Sequence, residues 1–458
     1  MIKCPNCGGE TKYNPKEKKV TCDYCNSKFE PKELRTIINL SKEVKKLDAT
    51  SYTCSQCGAT LLVFDDTAIT FCNYCGSNAL VNEKMKVNNP DYIIPFKITK
   101  EEAIKAYRRK IGRSLLVPRS FKLDTTVEKF RGIYMPYCIY DMGYEGDVSS
   151  RGSVKYLHLF GYDYYHDYKV SAQIKANYDG FSYDLASKFY DKYSMALPFQ
   201  YKDVEEFNLN YMSGYYADSK DIDIDTYDTQ ITKIARNDAR NELSKKRSLK
   251  FASHGCTVPT VPVSIENRKI GMFPVYFLAM VNKDKDIVHY AVVNGQTGKV
   301  AMDMPIDYKK YILLSLLLAV PAYFLISTGP LVQPKTVTFI GMLFSVMSLF
   351  LSNSQLDAIK RDREHLDDKG YQIASDDRKV KMKFTERYIK HNWKQTISFL
   401  ISFLAAVSGT IEDTVYYGAA ILSLLFVLWA FHDLVIEHNE LSSSKLPQLE
   451  KRGGDENA

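Results

Sequence analysis

Apolar residues change their spacing along this chain, and each change marks a different kind of element. Leu34, Ile37, Leu40, Val44 and Leu47 recur at helical intervals in a charged background, which predicts a short amphipathic helix over residues 33–48. Residues 100–111 and 225–248 also read as helices, the latter densely charged. Between 133 and 227 lie 18 tyrosines, a β-favouring bias that predicts sheet rather than more helix. Residues 262–265, 274–282 and 287–294 read as three short strands, the last closed by an Asn294-Gly295 turn.

Beyond Tyr308 the pattern becomes continuous. Residues 311–327, 337–352, 393–409 and 415–436 are four apolar runs, paired around the short turns TGPLVQPKT and TIEDT. A 17-residue helix covers about 25 Å, close to a hydrocarbon core of about 30 Å, so the runs are expected to form two membrane hairpins. Tyr308, Tyr311 and Trp393 suit the interfaces. Eleven Lys or Arg fall in residues 354–395, against only Lys335 in the two turns. This bias predicts that the long segment and both termini are cytoplasmic.

The expected architecture is therefore multidomain. Two Cys4 zinc ribbons occupy residues 1–32 and 50–89, joined by a linker helix over 33–49, and a central α+β cytoplasmic domain covers 90–306. Four C-terminal transmembrane helices follow in two hairpins, 307–353 and 396–436, separated by a basic cytoplasmic segment (354–395) and ending in a cytoplasmic tail (437–458). The full length of 458 residues accommodates several folded units, and 33 Tyr with 23 Phe exclude a disordered chain. A net charge of +7 from 61 basic and 54 acidic residues is too thin for a protein that coats nucleic acid.

The ribbons rest on cysteine spacing. Cys4, Cys7, Cys22 and Cys25 superimpose on Cys54, Cys57, Cys72 and Cys75 after a shift of 50 residues, an internal duplication of two Cys-x2-Cys knuckles. The start of the chain reads directly into the first knuckle without an apolar stretch, so a reducing compartment is expected, where such pairs bind metal. Four thiolates close a tetrahedral Zn²⁺ shell and leave no position for water, which makes two structural zinc sites the expected reading. A rubredoxin-like iron site and a redox dithiol are the alternatives.

Residues 1–90 hold 13 Lys or Arg and 10 Asp or Glu, a formal +3, and two zinc-loaded Cys4 sites at −2 each bring this to about −1. Nucleic-acid binding is thus the alternative reading and not the favoured one. Asn294-Gly-Gln-Thr-Gly-Lys299 fails as a phosphate loop, having Val293 and Val300 where Gly and Ser or Thr are required. His254-Gly-Cys256 reads as a loop, and His432, Asp433, Glu437 and His438 as an interfacial helix end. No nucleophile-base pair, nucleotide fingerprint or HExxH occurs, so no enzyme is expected.

The ribbons, with Ile94-Pro-Phe-Lys97, Gly132-Ile-Tyr-Met-Pro-Tyr137, Tyr211-Met-Ser-Gly-Tyr-Tyr-Ala217 and Tyr290-Ala-Val-Val-Asn-Gly-Gln-Thr-Gly-Lys299, resemble bacterial membrane-anchored double zinc-ribbon proteins, sometimes labelled replication-restart-helicase-like. The resemblance spans about residues 1–330 and implies cytoplasmic ribbons on an anchor in the cell membrane, with no established catalysis. Some relatives are associated with phage-shock-type membrane-stress proteins. The expected function is a multi-pass adaptor that recruits a cytoplasmic protein partner to the lipid bilayer; a tethered nucleic-acid-binding regulator is the alternative.

Overall fold

The computed structural model describes residues 3–34, 46–64, 69–246, 249, 251–285, 287–327, 334–366, 377–408 and 413–445. At the amino-terminal end, β1 (Thr11–Asn14) and β2 (Lys19–Cys22) form a hairpin that β3 (Lys28–Phe29) extends. The duplicated unit is built from β4 (Lys46–Cys54), β5 (Thr60–Val63) and β6 (Leu80–Asn88), with β4 in the middle. Most of the expected linker helix falls on 35–45, outside the described residues. Its expected last turn is strand: Lys46, Leu47 and Asp48 pair with Asn88, Val87 and Lys86. Leu47, Ala49 and Ser51 face inward along β4, and this period of two overrides the helical spacing.

After β7 (Tyr92–Ile93) comes α1 (Lys100–Gly112), started by a capping box. The Thr99 hydroxyl accepts from the Glu102 amide and the Glu102 carboxylate accepts from the Thr99 amide. Ala103, Tyr107 and Ile111 make its buried face. A short turn of helix, α2 (Asp124–Val127), leads into two very long strands, β8 (Arg131–Leu159) and β9 (Tyr162–Asp184). The tyrosine-rich stretch is therefore strand in its first part. Next come α3 (Asp191–Ser194), β10 (Glu205–Glu206), β11 (Tyr216–Asp218) and α4 (Asp228–Lys245). The strands expected at 262–265 and 274–282 are one continuous strand, β12 (Ser264–Asn282), because Asn267–Phe273 between them pair with β8 after a bulge at Glu266. Finally β13 (Ile287–Asn294) and β14 (Val300–Met302) form a hairpin.

Among the described residues twelve strands make one sheet, in the order β10-β7-β12-β8-β11-β5-β4-β6, with β9 on β8 and β13 on β12. Four of the sequence signatures meet at its centre. The Phe96 ring stacks on Tyr215 at 4.1 Å and packs against Tyr134 and Tyr276 at 5.0 and 4.9 Å. A Cβ on Gly132 would lie 2.5 Å from Tyr215, and one on Gly295 2.5 Å from Phe96, so both positions require glycine.

The C-terminal part holds α5 (Tyr308–Ser327), α6 (Pro334–Leu366), α7 (Asp377–Val407), α8 (Asp413–Leu441) and β15 (Ser444–Lys445), which returns to β13. Four transmembrane helices in two hairpins are not found. Among the described residues two helical stretches are long and apolar enough to cross a membrane, Thr336–Ser354 in α6 and Thr414–Leu441 in α8. The apolar run of α5 begins only after Lys309 and Lys310 and is interrupted by Pro321, short of the roughly 20 residues a span needs. In α7 the run that begins at Trp393 carries Lys394, Gln395, Ser398 and Ser402 as buried groups. The segment expected to be a basic loop continues α6 and α7 as helix on either side of 367–376, which lie outside the described residues. Helices α6, α7 and α8 pack on one another.

Candidate metal centres

Each centre is two knuckles brought together by a β-hairpin. In every knuckle the residue after the second cysteine lies in the left-handed region: Gly8, Gly58 and Gly76 at φ near +70° and Asn26 at +57°. The turn needs that conformation, and Gly and Asn tolerate it best. It lets the backbone fold back, with the amides of Gly8, Asn26, Gly58 and Gly76 donating to the carbonyls of Cys4, Cys22, Cys54 and Cys72 at 2.7–2.9 Å.

The sequence-predicted ligands converge as two groups, Cys4, Cys7, Cys22 and Cys25, and Cys54, Cys57, Cys72 and Cys75, each with its sulfurs within 4.8 Å of one another. Across the first centre, Cys4 Sγ to Cys25 Sγ and Cys7 Sγ to Cys22 Sγ are both 3.5 Å; the equivalent pairs of the second are both 3.6 Å. Disulfides would need about 2.0 Å. Tetrahedral metal–sulfur bonds of about 2.3 Å place sulfurs roughly 3.8 Å apart, so the cages fit a single ion. Four thiols this close cannot all lose their protons without a cation. Hydrogen bonds from Cys57, Cys72 and Cys75 hold Cys54 low, and Cys54 first among its neighbours pushes Cys72 up. Both groups can hold a metal ion.

Their settings differ. In the first centre Cys4 and Cys22 are buried but Cys7 and Cys25 are exposed, and the Ser27 hydroxyl and amide draw the Cys25 thiol down to about 6. In the second all four are buried, and its hairpin belongs to the large sheet through Leu61 and Leu62 of β5, paired with Asp218 and Ala217 of β11. Tyr74, inside the last knuckle, is fully buried and donates to the Asp218 carboxylate; burial raises that carboxyl to about 7.

One segment, residues 208–218, holds both ribbons. Asn210 Nδ2 donates to the carbonyls of Pro31 and Leu34 at 2.7 and 2.6 Å, and the Tyr13 amide donates to the Ser213 carbonyl at 3.0 Å. Four and five residues further on, Ala217 and Asp218 of β11 take the second ribbon. Sequence reasoning singled out residues 211–217 as a signature without seeing that they join the ribbons; the Asn210 and Asp218 contacts carried no pattern of their own.

The remaining candidates are structural. Asn294 Oδ1 accepts from the amides of Gln296 and Thr297 at 2.8 and 2.9 Å, closing the β13–β14 turn. His254-Gly-Cys256 clips the β8–β9 hairpin part-way along, with Cys256 bridged to Gly152. At the end of α8, His438 Nε2 lies 3.1 Å from the Met304 carbonyl and Asp433 pairs with Lys394.

No family model matches the chain, and no solved structure does. The chain is similar to the uncharacterized protein YdjG of Bacillus subtilis (strain 168), 26% identical over 321 residues, which is 67% of this chain and 91% of the relative.

Proposed function

We propose that the protein is a non-catalytic adaptor, held at a membrane by its apolar helices, that recruits a cytoplasmic protein through the outer part of the β8–β9 hairpin. The observation that carries this reading is the hairpin's surface. Beyond Gly143, the partner of Ser264 at the start of β12, β8 pairs with β9, and α4 supports the pair through Ile231, Ala235, Ala239 and Leu243. Past the Cys256 clip, Tyr156, Leu157, Leu159, Phe160, Tyr162 and Tyr165 are all exposed. Phe160 is 89% exposed and sits at φ +51° before Gly161 at +80°, a two-residue hairpin turn that normally takes Asn-Gly. Holding a bulky side chain there costs about 1–3 kcal/mol, which favours a use for the ring outside the fold.

The occupant we favour is a protein. Residues 153–168 carry Lys155 against Asp163 and Asp167, too little positive charge for nucleic acid, whereas exposed aromatics are what protein interfaces concentrate. The tip also lies at the far end of β8 from Arg131, and it is the Arg131 end that neighbours β12, β13 and the return of α8. The intervening strand is about 90 Å in contour, which directs the tip away from the helices.

Support for the membrane comes from an inverted distribution of polarity. Ser345, Ser398, Ser402 and Ser423 are fully buried among α6, α7 and α8 and bond to one another at 2.7–2.8 Å, while Phe339, Leu343, Phe350, Ile421, Leu425 and Leu428 face outward. Hydrocarbon solvent selects small polar groups between helices and apolar groups outside, and water selects the reverse. Zinc is the metal we assign to both centres, as a structural ion in a reducing cytoplasm, because closed four-thiolate cages suit it best.

The test is affinity purification of the full chain in detergent beside a Phe160→Ser, Tyr162→Ser variant, with metal content measured on both. We expect two zinc ions per chain in each, and a protein co-purifying with the wild type that the variant loses. Retention of every protein by the variant, or recovery of nucleic acid in its place, would overturn the adaptor reading.

A further inference from the structure

We infer that a cleft beside the second metal centre binds the head group of a phosphate-bearing, hydroxylated amphiphile, that is, a membrane phospholipid; this rests on the membrane reading above. The cleft has a volume of about 1120 Å³ and is walled by three parts of the chain that the sequence keeps far apart. The last knuckle contributes Asn73, the β12–β13 hairpin contributes His289 and Lys285, and the roots of α5 and α8 contribute Ile306, Tyr308 and Asn439.

Two polar groups in it are left over by the fold. Asn73 is 5% exposed, and among the described residues its Nδ2 has no hydrogen-bond partner. A buried donor in that state costs about 1–3 kcal/mol, so an acceptor from outside the chain accounts for its retention. His289 is also enclosed, at 9% exposure. Its Nδ1 faces the Ser442 carbonyl at 2.6 Å, and since a carbonyl only accepts, the proton sits on Nδ1. Nε2 then remains as an acceptor, with no partner among the described residues. An amide donor and an imidazole acceptor in one cleft ask for a ligand that offers both an oxyanion and a hydroxyl.

The rest of the wall is consistent with a lipid. Lys129 and Lys285 supply positive charge beside the carboxylates of Asp284 and Asp307, the latter engaged as an acceptor for the Lys309 amide at the start of α5, at 3.1 Å. Phe121, Met280 and Ile306 give an apolar side. The cleft also sits where an apolar helix ends: Ile306 and Asn439 exchange two hydrogen bonds, of 2.6 and 3.1 Å, in the last turn of α8. A ligand there can keep its head group in the cleft and its acyl chains along the helices.

The experiment uses the full chain in detergent micelles doped with short-chain phosphatidylglycerol, with phosphatidylcholine and inorganic phosphate as the other probes. We expect saturable binding of phosphatidylglycerol, at least tenfold weaker in Asn73→Leu and in Lys285→Gln, with two metal ions retained in both. Lys285 is exposed, so its variant keeps the test valid if Asn73→Leu fails to fold. Equal affinity for inorganic phosphate, equal affinity for phosphatidylcholine, or unchanged binding in both variants would overturn the inference. Membrane sedimentation of the same variants separates the two readings: a chain that sediments with membranes but binds no phospholipid saturably sinks the cleft alone, and one that stays in the supernatant sinks the membrane reading.

Discussion

Cys7 and Cys25 stand exposed on the first ribbon, whereas Cys57 and Cys75, the same positions after the 50-residue shift, are buried in the second. Local sequence builds nearly the same cage twice, as the 3.5 and 3.6 Å sulfur spacings show. What differs is the load each cage carries. The first ribbon keeps its own three-stranded sheet and touches the rest through residues 208–213 and the surface ion pairs Lys16–Glu102 and Lys32–Glu205, while the second lends β4, β5 and β6 to the large sheet and its cysteines to a core cluster with Phe277 and Tyr290. Identical chemistry therefore has a local consequence in one copy and a global one in the other, and the difference can be measured.

The largest effect is expected from Cys72→Ser. Losing that centre should expose the core beneath β4–β6 and lower the melting temperature of the sheet domain by 10 °C or more, given that roughly 3 °C corresponds to 1 kcal/mol at this size. Cys22→Ser should leave that transition nearly in place and raise amide hydrogen exchange only in residues 3–34. Equal losses from the two substitutions would show that the ribbons bear equal load.

Next in size is Tyr74→Phe. It removes the donor to Asp218 from inside the second knuckle, and leaving that buried carboxyl short of a partner should cost about 1–3 kcal/mol in denaturant unfolding. On the first ribbon the matching contact is Asn210. Replacing it with Ala strands the Leu34 carbonyl and leaves the Pro31 carbonyl with Asn208 Nδ2 alone, at 3.0 Å, and should cost about 1 kcal/mol, seen as faster proteolysis within residues 3–34 at unchanged metal content.

The smallest effect concerns pH. Asp218 is raised to about 7 in the fold from an ordinary 3.8, by burial first, so its contribution is fully present below about pH 4 and is lost as pH rises through 7. Asp218→Asn keeps an acceptor for Tyr74 but cannot ionise. It should be close to neutral at pH 4 and stabilising at pH 8; a variant equally unstable at both values would mean that the carboxylate is needed in its charged form.

The cysteine cages were legible because their ligands lie within one short repeat and their turns are marked by Gly or Asn. Helix α1 was legible for the same local reason, a capping box followed by a buried face. Reading failed where a partner distant in sequence decides. The spacing of Leu34 to Leu47 suits a helix by itself, yet Lys46–Asp48 are strand because Lys86–Asn88 are available to pair with them. Residues 262–265 and 274–282 looked separate, yet β8 pairs with β12 from Ser264 to Phe277, across the gap between them. Four apolar runs suggested four spans, but length and polar content leave two among the described residues.

What the sequence determined by itself was the chemistry: eight thiols in two matched sets, a tyrosine-rich sheet region and an apolar C-terminal part. Only the tertiary structure decided that residues 208–218 would hold both ribbons, that the second ribbon would become part of the large sheet, and that Asn73 and His289 would share a cleft. The physical reason is range. A knuckle's geometry is set by dihedrals and sulfurs within a few residues, whereas burial and unmet hydrogen bonds depend on neighbours more than a hundred residues away, which only the folded chain brings together.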